Sequence, residues 1–170
     1  MVEIRNGELD IRKIAQSGQC FRLNARANGQ YELLAHGRLL EIEPTEDGAR
    51  FYCGSEEFGA LWRAYFDLET DYAAIRRAVD PADAYLSAAV AFGRGVRILR
   101  QEPWETLVTF ILSQRKNIPA IRSCVELLCA RFGEPIAGAG TNAFPKPEAL
   151  ANAGLECLLG CSLGYRGRYV

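Results

Sequence analysis

Between residues 20 and 53 apolar and polar positions alternate, and from residue 55 onward they recur every three or four residues. Cys20 to Asn24, Gln30 to Ala35, Leu39 to Glu43 and Arg50 to Cys53 have the period of two that marks half-buried strands. Asn28-Gly29, Gly37 and Asp47-Gly48 punctuate them, so the pattern predicts an antiparallel meander. Ser55 reads as the N-cap of a helix with Phe58, Leu61, Trp62 and Tyr65 on one face. Asp80-Pro81 reads as a second helix start and Gly93 as its stop. Glu102-Pro103 opens a helix carrying Trp104, Leu107, Val108 and Ile111. Asn117 caps the next, with Ile121, Val125 and Leu128 inward until Gly133. Pro145 and Pro147 lead into a last helix, from Glu148 to about Gly160. The predicted fold class is α+β, a small antiparallel sheet with its own helices followed by an all-helical part starting near Gly95.

A chain of 170 residues buries about 70% of its unfolded surface, enough for a real core. No apolar run reaches the roughly 18 residues of a membrane helix, and Met1 to Arg5 is too polar for a secretory signal. A cytoplasmic protein is expected. Net charge is −1, but unevenly spread. Residues 1–90 carry 10 Lys and Arg against 15 Asp and Glu, net −5; residues 91–170 carry 10 against 6, net +4. The positive half is the one suited to phosphates.

The six cysteines include no C-x-x-C pair, and His36 is the one histidine. They read as reduced, buried thiols, and no metal site is expected. His36 falls in the turn Ala35-His36-Gly37-Arg38, Glu102 and Glu105 complement a helix start, and Gly93-Arg94-Gly95 lacks the strand–turn–helix setting of a phosphate cradle. The lysines are Lys13, Lys116 and Lys146, and no aspartate follows Asp83, so no catalytic residue and no cofactor is assigned. Binding signals are stronger. Arg115, Lys116 and Asn117 form a basic turn before a helix N-terminus, and Ser162 to Tyr169 sets Tyr165 between glycines beside Arg166 and Arg168. Each motif is also compatible with a solvated cap or a buried tyrosine.

Six segments, in order, carry a resemblance. They are Gln16 to Arg22, Trp62 to Leu68 with Asp71-Tyr72, Ile98 to Glu105, Phe110 to Gln114, Phe144 to Glu148 and Leu163 to Arg166. Together they resemble the N-terminal part of 8-oxoguanine DNA glycosylases/AP lyases in their bacterial form. The resemblance implies a TATA-binding-protein-like antiparallel sheet domain over 1–94 and, over 95–170, the first part of a helix-hairpin-helix glycosylase domain. Such enzymes flip a damaged guanine out of the duplex and cut its glycosidic bond. It implies that the Gly18 carbonyl senses the N7 hydrogen peculiar to 8-oxoguanine, that Tyr165 wedges beside the orphaned cytosine and that Arg166 reads that cytosine.

The family usually has three asparagines where this chain has Arg115, Lys116 and Asn117, and commonly an arginine at Ala120. Arg122 lies two residues on, about 200° around the helix, and is a poor substitute. The resemblance also implies that the catalytic lysine and its activating aspartate lie past the point matching Val170. The expected partner is double-stranded DNA containing 8-oxoguanine, in a bacterial cytoplasm at the nucleoid, with no membrane. Exposed apolar surface would seek the missing half or a second copy. Three readings stay open: a lesion-recognition part inactive alone, a non-catalytic DNA-binding module, and a protein-interaction module on the same scaffold.

Overall fold

The computed structural model describes all residues, Met1–Val170. Five strands form one antiparallel sheet in the order β1-β5-β4-β3-β2: β1 Val2–Arg5, β2 Leu23–Ala25, β3 Tyr31–Ala35, β4 Arg38–Pro44 and β5 Gly48–Phe51. The meander of β2 to β5 follows the alternation and its turn residues. His36 and Gly37 both take positive φ, 53° and 66°, the mirror-image turn whose twist suits a two-residue hairpin. β1 is an addition the pattern does not announce. It is an edge strand with no fully buried residue, held by its ladder to β5, so it carries little hydrophobic signal. Its partner Gly48 faces Arg5, and a Cβ at Gly48 would lie 2.1 Å from the Ile4 carbonyl oxygen.

The chain packs as two units. The first comprises Met1–Glu32 and Leu40–Arg100. Here α1, Ile11–Gln16, begins at Asp10, whose carboxylate accepts from the N–H groups of Arg12 and Lys13, and buries Ile11, Ile14 and Ala15. After β5 the chain runs through α2 (Ser55–Glu57), a π-helical turn (Phe58–Trp62) and α3 (Arg63–Tyr65). The helix starts one residue earlier than predicted, with Gly54 at the N-cap. The π turn shifts the register, so Leu61 is only half-buried while Phe58, Trp62 and Tyr65 are buried. Phe51 packs 5.0 Å from Phe58 and 5.2 Å from Phe66, ring centre to ring centre. α4 spans Tyr72–Arg77 and α5 Ala84–Phe92. The N-cap of α5 is Asp83, not Asp80: Asp80 closes a local turn on the Ala82 N–H, and Asp83 accepts from the Leu86 N–H at 2.8 Å. Gly93 ends α5 as predicted.

The second unit comprises Leu33–Leu39 and Gln101–Val170. α6, Pro103–Ser113, and α7, Ile118–Phe132, are the two helices flanking the basic turn. Val108 and Leu112 from α6 and Ile121, Val125 and Leu128 from α7 are buried at helical spacing, each worth about 1.5–3 kcal/mol of burial. The last predicted helix is two short ones, α8 (Pro147–Ala151) and α9 (Leu155–Leu159). Asn152 closes the first, and Gly154 starts the second in an extended conformation, breaking the expected run. A 3-10 turn, Gly164–Arg168, follows. No helix is long and apolar enough to cross a membrane. None of the six cysteines forms a disulfide; Cys53 is half-buried and Cys157 exposed, and the other four are buried.

Candidate nucleic-acid interface

In the first unit Gly18 sits just past α1. The Ser17 hydroxyl donates to the Ile14 carbonyl at 2.7 Å, ending the helix, and Gly18 turns with φ +78°. Gln19 then ties this loop down. Its Nε2 donates to Ser17 Oγ at 3.0 Å and to the Arg97 carbonyl at 2.9 Å, while its Oε1 accepts from the Leu99 N–H at 2.8 Å. Arg97 is itself buried, donating to the carbonyls of Phe66 (3.2 Å) and Thr70 (3.1 Å) with its guanidinium 4.4 Å from the Tyr72 ring centre. Asp67, at φ +50°, accepts from Arg100 Nε (2.8 Å), the Thr70 hydroxyl (3.0 Å) and the Tyr72 hydroxyl (3.0 Å). The Tyr72 oxygen in turn accepts from the Ile98 N–H at 2.9 Å. Burial alone would raise the Asp67 carboxyl; Arg100, Thr70 and Tyr72 outweigh it and hold its pKa below the usual aspartate range. Three separated sequence segments, at 16–22, 62–72 and 97–100, are thereby joined into one polar network around the loop.

In the second unit the basic turn is built by two helix ends. α6 closes at Gln114, and Arg115 takes φ +53°, a left-handed conformation uncommon for a residue with a Cβ. Asn117 is the N-cap of α7, its Oδ1 accepting from the Ala120 N–H at 2.9 Å. Arg115 and Asn117 are exposed, and Lys116 is half-buried.

The structure brings this turn together with the segment some fifty residues on. Ser162 has φ +60°, and its carbonyl accepts from Lys116 Nζ at 2.7 Å. Arg166, 7% exposed, donates through Nη2 to the Gln114 carbonyl and through Nη1 to the Leu163 carbonyl at 3.3 Å. Its guanidinium lies 4.5 Å from the centre of the Tyr165 ring, which is 57% exposed. Arg166 Nε is buried with no acceptor. Arg115, Tyr165 and Arg168 are exposed on these two joined segments. Four of the six residues singled out from sequence therefore belong to elements locked to each other: Arg115 and Lys116 on the turn, Tyr165 and Arg166 beyond Ser162. Asn117 starts the next helix, and Gly18 belongs to the other unit.

Sequence reasoning assigned no role to Gln19, Asp67 or Arg97, although Gln19 and Asp67 fall within the segments that carry the resemblance. A buried arginine and a buried aspartate are unusual enough to mark a network, but nothing in the sequence says which groups they meet. His36 lies at the β3–β4 turn, its N–H on Glu102 at 3.0 Å. All three lysine amines are engaged: Lys13 donates to the carbonyls of Phe92 and Arg94, Lys116 to Ser162, and Lys146 pairs with Glu134, which raises its pKa. No group of three His, Cys, Asp or Glu is placed to hold a metal ion.

A sequence model of the 8-oxoguanine DNA glycosylase N-terminal domain matches residues 1–107. An N-glycosylase/DNA lyase of Saccharomyces cerevisiae is 31% identical over 98% of this chain and 49% of its own length. The chain spans about half the length of the curated relatives it matches. Among solved structures, MBOgg1 in complex with a low-affinity DNA ligand superposes with a TM-score of 0.91 at 37% identity, covering 97% of this chain and 58% of that one. The Clostridium acetobutylicum 8-oxoguanine glycosylase/lyase, in complex with double-stranded DNA bearing cytosine opposite 8-oxoG, superposes at 0.90 and 32% identity over 96% of this chain and 57% of that one. The five-stranded sheet and the helices that follow thus have the architecture of these proteins, and the chain belongs to the 8-oxoguanine DNA glycosylase family.

Proposed function

We propose that this chain is the damage-recognition part of a base-excision-repair DNA glycosylase/AP lyase that removes 8-oxoguanine by base flipping. Residues 1–94 serve as the N-terminal sheet domain and 95–170 as the first part of the helix-hairpin-helix glycosylase domain. Its partner is double-stranded DNA containing 8-oxoguanine, met on the nucleoid of a bacterial cell.

The observation that carries this reading is the joining of the Ser113–Asn117 turn to the Ser162–Arg168 segment. It gathers an exposed aromatic and several cations on linked elements, the combination that grips phosphates and stacks on bases. Arg166 has an unpaired buried Nε–H, a donor left over for an acceptor on an orphaned cytosine. Tyr165 fills the vacated stack, and Arg115, Lys116 and Asn117 line the gap. The Gly18 carbonyl, steadied by the Gln19 loop, accepts the N7 hydrogen of 8-oxoguanine; guanine has none there and leaves that acceptor unmatched, which costs about 1–3 kcal/mol.

Fluorescence anisotropy with duplexes carrying 8-oxoguanine or guanine opposite cytosine tests the proposal. Tighter binding of the lesion duplex is expected, and four phosphate contacts give a log–log salt slope near about −3.6. Equal affinity for both duplexes overturns it.

A further inference from the structure

One amine in the second unit meets a thiol. Lys116 Nζ lies 2.7 Å from Cys124 Sγ, one helical stretch away on α7. Both groups also converge on one carbonyl: Ser162 O is 2.7 Å from Nζ and 3.4 Å from Sγ. The left-handed turn at Ser162 aims that carbonyl at the pair. Cys124 is buried while Lys116 is half-buried, so the contact is sheltered yet borders solvent along the lysine stem.

Cys161 rests on the Cys157 carbonyl at 3.8 Å, and Cys20 faces the Tyr65 hydroxyl at 3.7 Å. Burial pushes the Cys161 thiol up, keeping it protonated and unreactive.

We propose that Lys116 and Cys124 are a modification site at which dioxygen forms a covalent Nζ–O–Sγ bridge. The lysine first gives its extra proton to water. The neutral amine, the thiol and one dioxygen molecule then yield the bridge and one water. One oxygen atom is inserted between nitrogen and sulfur, and the other leaves as water with the thiol hydrogen and one amine hydrogen. Sulfur and nitrogen each lose two electrons, and dioxygen takes the four. The product pins the basic turn to α7 and removes the Lys116 ammonium charge. Two molecules of a dithiol reductant reverse it: each closes to a disulfide, together they return the four electrons, the N–O and O–S bonds break, the oxygen leaves as water, and the amine and the thiol are restored.

Intact-mass and peptide mass spectrometry of the protein held in aerated buffer tests this, before and after dithiothreitol. The expected product has gained one oxygen and lost two hydrogens, links the Lys116 and Cys124 peptides, and disappears on reduction. It is absent from Cys124→Ser. It is also absent from Lys116→Arg, which keeps a donor toward Ser162 but has no primary amine. A gain of whole oxygens confined to the Cys124 peptide, a loss of two hydrogens alone, or an unchanged mass overturns the proposal. None of these readouts depends on DNA binding.

Discussion

The side-chain carbonyl of Gln19 accepts the Leu99 N–H at 2.8 Å, across eighty residues of sequence. The other end of the same amide donates to the Arg97 carbonyl, so one side chain satisfies a donor and an acceptor on the segment that passes the Gly18 loop. Gln19→Ala removes both bonds and leaves part-buried backbone groups unpaired, a loss of about 1–3 kcal/mol in urea unfolding. Its preference for lesion over undamaged duplex falls more than its affinity for undamaged duplex. Gln19→Glu keeps the acceptor, loses the donor and falls between. An unchanged lesion preference in Gln19→Ala would remove Gln19 from the positioning of Gly18.

Asp67 makes the first unit sensitive to acid. Its pKa is lowered in the folded chain, so the stability it contributes is fully present above the unfolded value, about 3.9, and is lost as pH falls through the lower folded value. Asp67→Asn lacks this term. The urea midpoints of the two proteins are expected to differ at about pH 5 and to converge toward about pH 2. A gap that stays constant over that range would show that Asp67 acts through shape and not through charge.

Arg115 pays for its left-handed backbone. Asn visits that conformation far more readily, so Arg115→Asn is expected to unfold about 0.5–1 kcal/mol later in denaturant. The same change removes a cation from the turn and is expected to flatten the log–log salt slope of DNA binding by about 0.9 if Arg115 meets a phosphate. Stability and salt dependence therefore move in opposite senses, which a merely surface arginine would not produce.

Tyr165 is more than half exposed, with the Arg166 guanidinium 4.5 Å from its ring centre. Tyr165→Ala is expected to change stability by less than about 0.5 kcal/mol. Its affinity for lesion duplex drops by about 1–3 kcal/mol, the worth of one stacked ring, and its affinity for undamaged duplex drops less. Equal losses on both duplexes, measured by anisotropy, would make the ring a general contact with no part in recognition.

Local rules were legible where local chemistry decides. Asn117 capping α7, Pro103 opening α6, Gly133 ending α7 and the turns between strands all follow from residues within a few positions. β1 was hidden because an edge strand held by its backbone ladder needs no alternating pattern. α1 did carry a signal, with Asp10 followed by Ile11, Ile14 and Ala15, but six residues are few for a periodicity to stand out. The break between α8 and α9 turned on Asn152 and Gly154, whose helix-ending roles a continuous apolar count overrides. At the site, composition singled out Arg115, Lys116, Tyr165 and Arg166. It did not show that Gln114 and Arg166, or Lys116 and Ser162, would meet, since only the packed chain brings residues that distant together. Gln19 and Arg97 escaped for the same reason, since Gln19 bonds to Arg97 and Leu99, and Arg97 to Phe66 and Thr70, across tens of residues; Asp67 meets Thr70 and Tyr72 locally, but its ion-pair partner Arg100 is 33 residues on.

Asn117 spends its amide oxygen on starting α7. That fixes which way the amide is oriented and leaves only its nitrogen end to look outward. The exposed Asn117 amide nitrogen and the exposed Arg115 guanidinium are both donors on this turn. Donors of this kind favour oxygen-rich ligands. One helix cap thus settles which end of the Asn117 amide is left for a ligand.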